Sequence, residues 1–197
     1  MKTIKNDYCI RQFVSSDTLR PAMTKVSLQD GYLYSTDASI VGKIKADLCV
    51  HNYIEVEKYP NAEKVISEHE STEKKTVSVD TLFNDLLKIE CCFKPKMIDC
   101  DDCENGVATC DHCDSEYDCK ECGGTGKVAS NELELTSEHD CILFNKKYKL
   151  KYLDLIIRTA VYTGVKKIEI SNGTHETSGT VFTVGDFTIL LMPCYSG

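Results

Sequence analysis

Six cysteines stand in three Cys-x-x-Cys pairs within a short segment: Cys100/Cys103, Cys110/Cys113 and Cys119/Cys122. A pair at this spacing can aim two thiolates at one soft cation, and two such knuckles complete the tetrahedral four-thiolate shell of structural zinc sites. The outer pairs read C-x2-C-x15-C-x2-C, inside the spacing window for zinc. All six are candidate metal ligands, and His112 can join the shell or stand in water. Disulfides are the competing use. The N-terminus, MKTIKNDYCIRQF, lacks the apolar core of a secretory signal, which points to a cytoplasmic, reducing setting and against them. The inner pair, Cys110/Cys113, has a third use in thiol redox chemistry, because Cys-x-x-Cys lowers thiol pKa. Cys9, Cys49, Cys141 and Cys194 sit singly in apolar strings and read as buried, inert thiols.

Charge divides the chain more sharply than its net value of −8 suggests. From Cys100 to Cys122 lie Asp101, Asp102, Glu104, Asp111, Asp114, Glu116, Asp118 and Glu121 against Lys120 alone. Thiolates on a divalent cation add further negative charge, so this module should repel phosphate and either contact a protein partner or simply staple the fold. Between Lys146 and Lys167 the balance reverses, with Lys146, Lys147, Lys149, Lys151, Arg158, Lys166 and Lys167 against Asp154. On a helix, Lys147, Lys151 and Arg158 share one face opposite the apolar one. Such a stripe either meets duplex DNA phosphates or is a solvated face. Neither a GxSxG, a Walker A nor an HExxH string occurs, and the five histidines show no metal-site spacing. The chain therefore reads as a non-enzyme. No apolar run approaches the roughly 18 residues of a membrane span.

The elements that position these groups follow from periodicity. Strands are expected across residues 1–58: IKNDYCIRQFV, AMTKVSLQ, YLYSTD and SIVGKIKADLCVHNYIEVE, with Gln29-Asp30-Gly31 turning a hairpin. AEKVISEHE suggests a short helix and residues 68–76 a polar link. SVDTLFNDLLKIECCF reads as a helix capped by Ser78 or Asp80, with Leu82, Phe83, Leu86, Leu87 and Ile89 as its apolar face. After the cysteine module come a strand in VASNELELTS and a short one at Ile142–Phe144. A helix from Lys146 to Thr163 follows, capped by Asn145 and stopped by Gly164. Its buried face is Leu153, Ile156, Ile157, Ala160 and Val161. VKKIEIS, GTVFTVG and FTILLMPC read as three closing strands.

These segments carry a family likeness. ILFNKKYKLKYLDLIIRTAVYTGVKKIEIS followed by TVFTVGDFTILLMPC resembles the C-terminal half-domain of bacterial sliding clamps, the ring-shaped β subunits that tether the replicative polymerase to DNA. Asn145, Tyr148, Leu153, Met192 and Pro193 hold the places of that pattern. The stretch with Arg20-Pro21, the hairpin and Thr36-Asp37 is similar to the preceding clamp segment, and YPNAEKVI (59–66) to the one after it. The resemblance implies an α+β, DNA-clamp-like fold of helices packed on antiparallel sheets, built from residues 1–90 and 128–197 and interrupted by a zinc module at 91–127. It also implies a noncatalytic replication or repair accessory protein that touches DNA through Lys147, Lys151 and Arg158, with association of several copies. A clamp subunit carries three such domains, whereas this chain has room for one. Separately, CKECGGTG (119–126) resembles the CxxCxGxG repeat of the DnaJ-type co-chaperone zinc domain, and CDDCENG (100–106) is a partial copy. That likeness implies one Zn2+ and room for a second, with Cys91-Cys92 as the stand-in for a fourth pair. The alternative reading is an adaptor, zinc-finger or chaperone-like, that has no DNA role.

Overall fold

The hydroxyl of Thr3 accepts the Asn6 N–H at 3.1 Å and caps a helix, α1, over Ile4–Arg11. IKNDYCIRQFV is therefore not the expected strand. Asn6, Asp7, Cys9, Ile10 and Phe13 are buried at helical spacing. Two of these positions are polar, which is why the apolar letters alone suggest alternation. The computed structural model describes residues 3–87, 93–110, 113, 115–135, 140–173, 175 and 177–194.

In chain order there follow β1 (Ser27–Gln29), β2 (Tyr32–Thr36), β3 (Ile40–Lys45), α2 (Ala62–His69), β4 (Lys74–Ser78), α3 (Val79–Leu87), β5 (Phe93–Asp99), β6 (Val107–Thr109), β7 (Glu116–Asp118), β8 (Lys127–Leu135), β9 (Asp140–Leu143), β10 (Lys146–Lys149), α4 (Leu150–Thr163), β11 (Lys167–Asn172), β12 (Thr180–Val184) and β13 (Phe187–Leu191). Asp30 and Gly31 take φ of 47° and 80° and turn β1 into β2, as a two-residue hairpin requires. Pro21 opens a 3-10 turn over Pro21–Thr24 where a strand was expected, since its fixed φ suits a first helical position. The stretch expected to be a polar link holds β4, an edge strand paired with β11, whose exposed lysines suit an open edge. Ser78 then caps α3 by accepting the Thr81 N–H at 3.0 Å. Leu82 and Leu86 are buried there and Phe83 is exposed, while Ile89 falls outside the described residues.

The long C-terminal helix begins later than its letters suggest. Phe144 and Asn145 have φ of 53° and 62° and fold β10 back onto β9, so Asn145 is a turn residue and not a helix cap. Lys146 and Tyr148 point inward: the Lys146 Nζ donates to the carbonyls of Gly173 and Ser178, and the Tyr148 hydroxyl lies 2.6 Å from that of Thr180. Only from Leu150 does the chain turn helical. Gly164, in the left-handed region at φ 77°, ends α4 as expected.

The chain divides into two compact units, residues 1–90 with 137–197, and residues 91–136. The first is built on a seven-stranded antiparallel sheet in the order β1-β2-β3-β13-β12-β11-β4. Alternation along the strands sends side chains to both faces, and both are covered. Helix α2 packs Ala62 and Ile66 on Tyr34, Val41, Val181 and Leu190. The other face meets α1 and α4, which also touch each other. There Gly42 permits the close approach of Phe13, whose ring a Cβ at position 42 would meet at 2.6 Å. In the second unit β5 pairs with β8 from Phe93↔Leu135 to Asp99↔Lys127, and β6 with β7. The strand in VASNELELTS thus lies in the second unit, paired with β5.

Candidate metal centre

Each outer cysteine pair sits where a strand gives way to a tight turn. Cys100 follows β5 and Cys119 follows β7. The two loops are laced by backbone bonds, from the Cys100 N–H to the Gly126 carbonyl (2.9 Å) and from the Cys119 N–H to the Gly106 carbonyl (2.8 Å). Gly106, Gly124 and Gly126 all have positive φ, and a Cβ on Gly106 would lie 2.2 Å from the Gly124 oxygen. Only glycine allows the two knuckles to approach this closely.

The result brings Cys100, Cys103, Cys119 and Cys122 together with all four sulfurs within 4.8 Å of one another. Two of the edges measure 3.9 Å (Cys100–Cys119) and 3.6 Å (Cys103–Cys122). Zinc–sulfur bonds of about 2.3 Å at tetrahedral angles give an edge of about 3.8 Å, so the arrangement has the size of a four-thiolate metal shell. Cys100 and Cys119 are buried, and Cys103 and Cys122 half-buried. The Gly126 N–H donates to the Cys122 sulfur at 3.2 Å, as knuckle amides do toward a thiolate. Burial raises the Cys122 thiol, but the Gly126 amide, the neighbouring thiols and the Gly124 amide outweigh it and bring it down to about 7. Burial and the facing Cys122 push Cys103 up to about 12. A cation that displaces the protons removes this conflict. These four cysteines can hold a metal ion.

The inner pair stands apart. Cys110 and Cys113 lie between β6 and β7, one half-buried and the other exposed, and neither joins the four-sulfur group. Cys91, Cys92 and His112 fall outside the described residues. Cys9, Cys49 and Cys141 are buried as expected, and Cys194 is half-buried.

The basic stripe is only partly assembled. Lys151 and Arg158, seven apart on α4, share an exposed face. Lys147 is on β10 and not on the helix, and its ammonium pairs with Asp140 at 2.9 Å. Arg158 pairs with Asp154 at 2.7 Å, and the Lys151 ammonium stands 4.6 Å from the Tyr152 ring centroid. Beside α4, helix α1 exposes Lys5, Tyr8 and Arg11, and Tyr8 meets Tyr162 at 5.0 Å between ring centroids. The sequence reading missed these residues because it took their segment for a strand. Thr3, a helix-capping residue ahead of Ile4, was the signal that could have found them. The clamp-like Thr36 and Asp37 serve the fold: Asp37 accepts the Ser39 and Ile40 N–H groups and the Tyr152 hydroxyl.

Among solved structures the chain shares the fold of bacterial sliding clamps. It matches the DNA polymerase III β subunit of Borrelia burgdorferi at 14% identity and TM-score 0.53, over 98% of this chain and 62% of that one. The Pseudomonas aeruginosa clamp matches at 9% and TM-score 0.56, over 98% and 63%. A Helicobacter pylori β clamp bound to a DNA ligase peptide matches at 9% and 0.53, again over 98% and 63%. This chain thus spans about three fifths of the length of the clamp chains it matches. No family model matches it, and no curated protein matches its sequence. No helix among the described residues is long and apolar enough to cross a membrane.

Proposed function

We propose that this protein is a noncatalytic accessory factor of DNA replication or repair, built on a clamp-like domain and carrying one structural zinc on Cys100, Cys103, Cys119 and Cys122. The observation that carries the reading is the clamp fold over 98% of the chain, with helices α1 and α4 side by side on one face of the sheet. Lys151 and Arg158 on α4, with Lys5 on α1, give that layer point charges on a rigid support. Such groups meet phosphates without reading sequence. Lys147 adds charge from the neighbouring hairpin. The acidic zinc module is the surface for a protein partner, since its eight carboxylates against Lys120 repel phosphate. A single domain holds too little arc to surround a duplex, so tethering requires several copies or a completing partner. The setting is cytoplasmic.

Binding to linear and nicked circular duplex, measured at low and moderate salt beside light scattering for chain number, tests this reading. The expected result is weak, sequence-independent binding that falls steeply with salt, and retention on circles only by an oligomer. A monomer whose DNA signal ignores salt would leave the zinc-module adaptor as the better account.

A further inference from the structure

The β6–β7 hairpin presents a second, separate piece of sulfur chemistry. Its register, Val107↔Asp118 to Thr109↔Glu116, places Cys110 opposite Ser115 at the tip end of the stem. The Cys110 N–H donates to the Ser115 carbonyl at 2.9 Å and closes the tip. Cys113 is exposed, and its sulfur lies 3.0 Å from the Ser115 hydroxyl. The Ser115 hydroxyl first, then its amide and the Cys110 thiol hold the Cys113 thiol below its ordinary value. Among the described residues no other group of three or more cysteine, histidine or carboxylate ligands converges.

We propose that Cys110 and Cys113 form a reversible dithiol–disulfide couple at the hairpin tip, exchanging with low-molecular-weight disulfides while the four-cysteine centre keeps its metal. Cys113 is the attacking sulfur. Its thiolate displaces one thiolate from the small disulfide and forms a mixed disulfide. The half-buried Cys110 gives up its proton and attacks the Cys113 sulfur, closing the protein disulfide and releasing the second small thiol. Two protein thiols and one small disulfide become one protein disulfide and two small thiols, with the two cysteine protons ending on the released thiolates. The Ser115 hydroxyl donates to the Cys113 thiolate and raises the reactive fraction. The couple goes beyond the clamp-like reading and rests on the zinc reading only for the sparing of the outer cysteines.

Zinc-loaded full-length protein is treated with excess oxidised glutathione, then analysed by intact mass, peptide mapping and zinc content. The expected product has lost two hydrogens, carries its disulfide between Cys110 and Cys113, and keeps its zinc. In Cys110→Ser the mixed glutathione adduct on Cys113 should persist, and in Cys113→Ser oxidation of the hairpin should slow roughly tenfold or more. Both variants should hold as much zinc as the parent, which shows the module is folded. A disulfide within the outer four, zinc released in step with oxidation, or a lasting adduct in the parent chain would each overturn the proposal. So would full retention of the hairpin thiols. A chain purified without zinc would count against the metal reading instead, and there the first disulfide should still map to Cys110–Cys113.

Discussion

Cys119 shows how much one residue of the centre carries: its sulfur is one of the four, and its N–H ties one knuckle to the other through Gly106. Cys119→Ser removes a ligand without disturbing that backbone bond. Zinc content should fall below about half an equivalent after reducing purification, and parent-like zinc would argue against the assigned shell. A second residue-scale test lies in the clamp-like unit. Asp7, buried to 2% exposure, accepts the Val50 N–H at 2.7 Å, the His51 N–H at 3.2 Å and the Tyr53 hydroxyl at 3.0 Å. Burial raises its carboxyl, but these donors, with the His51 imidazole Nδ1 3.0 Å away, outweigh burial and hold it below the usual carboxylate range. A group whose folded value is depressed stabilises the fold fully above its unfolded value, and that contribution fades as pH falls through the folded value. Asp7→Asn should therefore cost about 1–3 kcal/mol at neutral pH and little in acid. Urea titrations at both pH values measure it, and an equal loss in acid would show that geometry rather than charge is at stake.

At the scale of elements, the contact of α1 with the sheet depends on the space above Gly42. Gly42→Ala places a methyl 2.6 Å from the Phe13 ring, and overpacking of this kind costs about 1–3 kcal/mol. Adding Phe13→Leu should recover part of that loss, so the pair would be less destabilised than the sum of the singles. Strict additivity in a thermal or urea melt would place the strain elsewhere. Helix α4 carries a different test. Lys151 and Arg158 are exposed, so Lys151→Glu with Arg158→Glu should lower the melting temperature only slightly, through the lost Arg158–Asp154 pair, as exposed charges contribute little. The same double variant should abolish the salt-dependent duplex binding, and Lys147→Glu alone should weaken it less, because Lys147 lies on β10 and not on the helix face. Equal effects from both would mean that the hairpin and not the helix meets the phosphates.

The whole molecule is two units, and their stability should be separable. The first has its own sheet with both faces covered by helices. Among its described residues the second has two small two-stranded sheets, too little to hold a fold without a staple. Chelation of the metal should therefore melt residues 91–136 and leave the clamp-like unit cooperative. Joining residue 90 to residue 137 by a short linker should likewise give a protein with one sharp transition in calorimetry. A broad or absent transition in that shortened chain would mean that the first unit depends on the insert. The cut belongs at 136, because a chain cut at 127 would keep β8 without its partner β5.

Some of this was written in local sequence. Spacing of Cys100, Cys103, Cys119 and Cys122 and the glycines behind them sufficed to expect these four sulfurs together, because such knuckles are set by short-range chain geometry. The Asp30-Gly31 turn, the caps at Ser78 and Gly164, and the last three strands were legible for the same reason. What depended on distant partners was not. Strand β4 is a strand because β11 supplies its hydrogen bonds, and β10 because Tyr148 has Thr180 to reach. The letters of Lys146–Lys149 suit a helix equally well, so only the tertiary structure could take Lys147 out of the stripe. Asn6 and Asp7 are buried because carbonyl and amide groups from residues 48–51 and Tyr53 wait for them, and no periodicity of apolar residues reveals such partners. The inner cysteine pair has the same spacing as the outer two. Its separation from the metal centre was decided by which loops fold against each other.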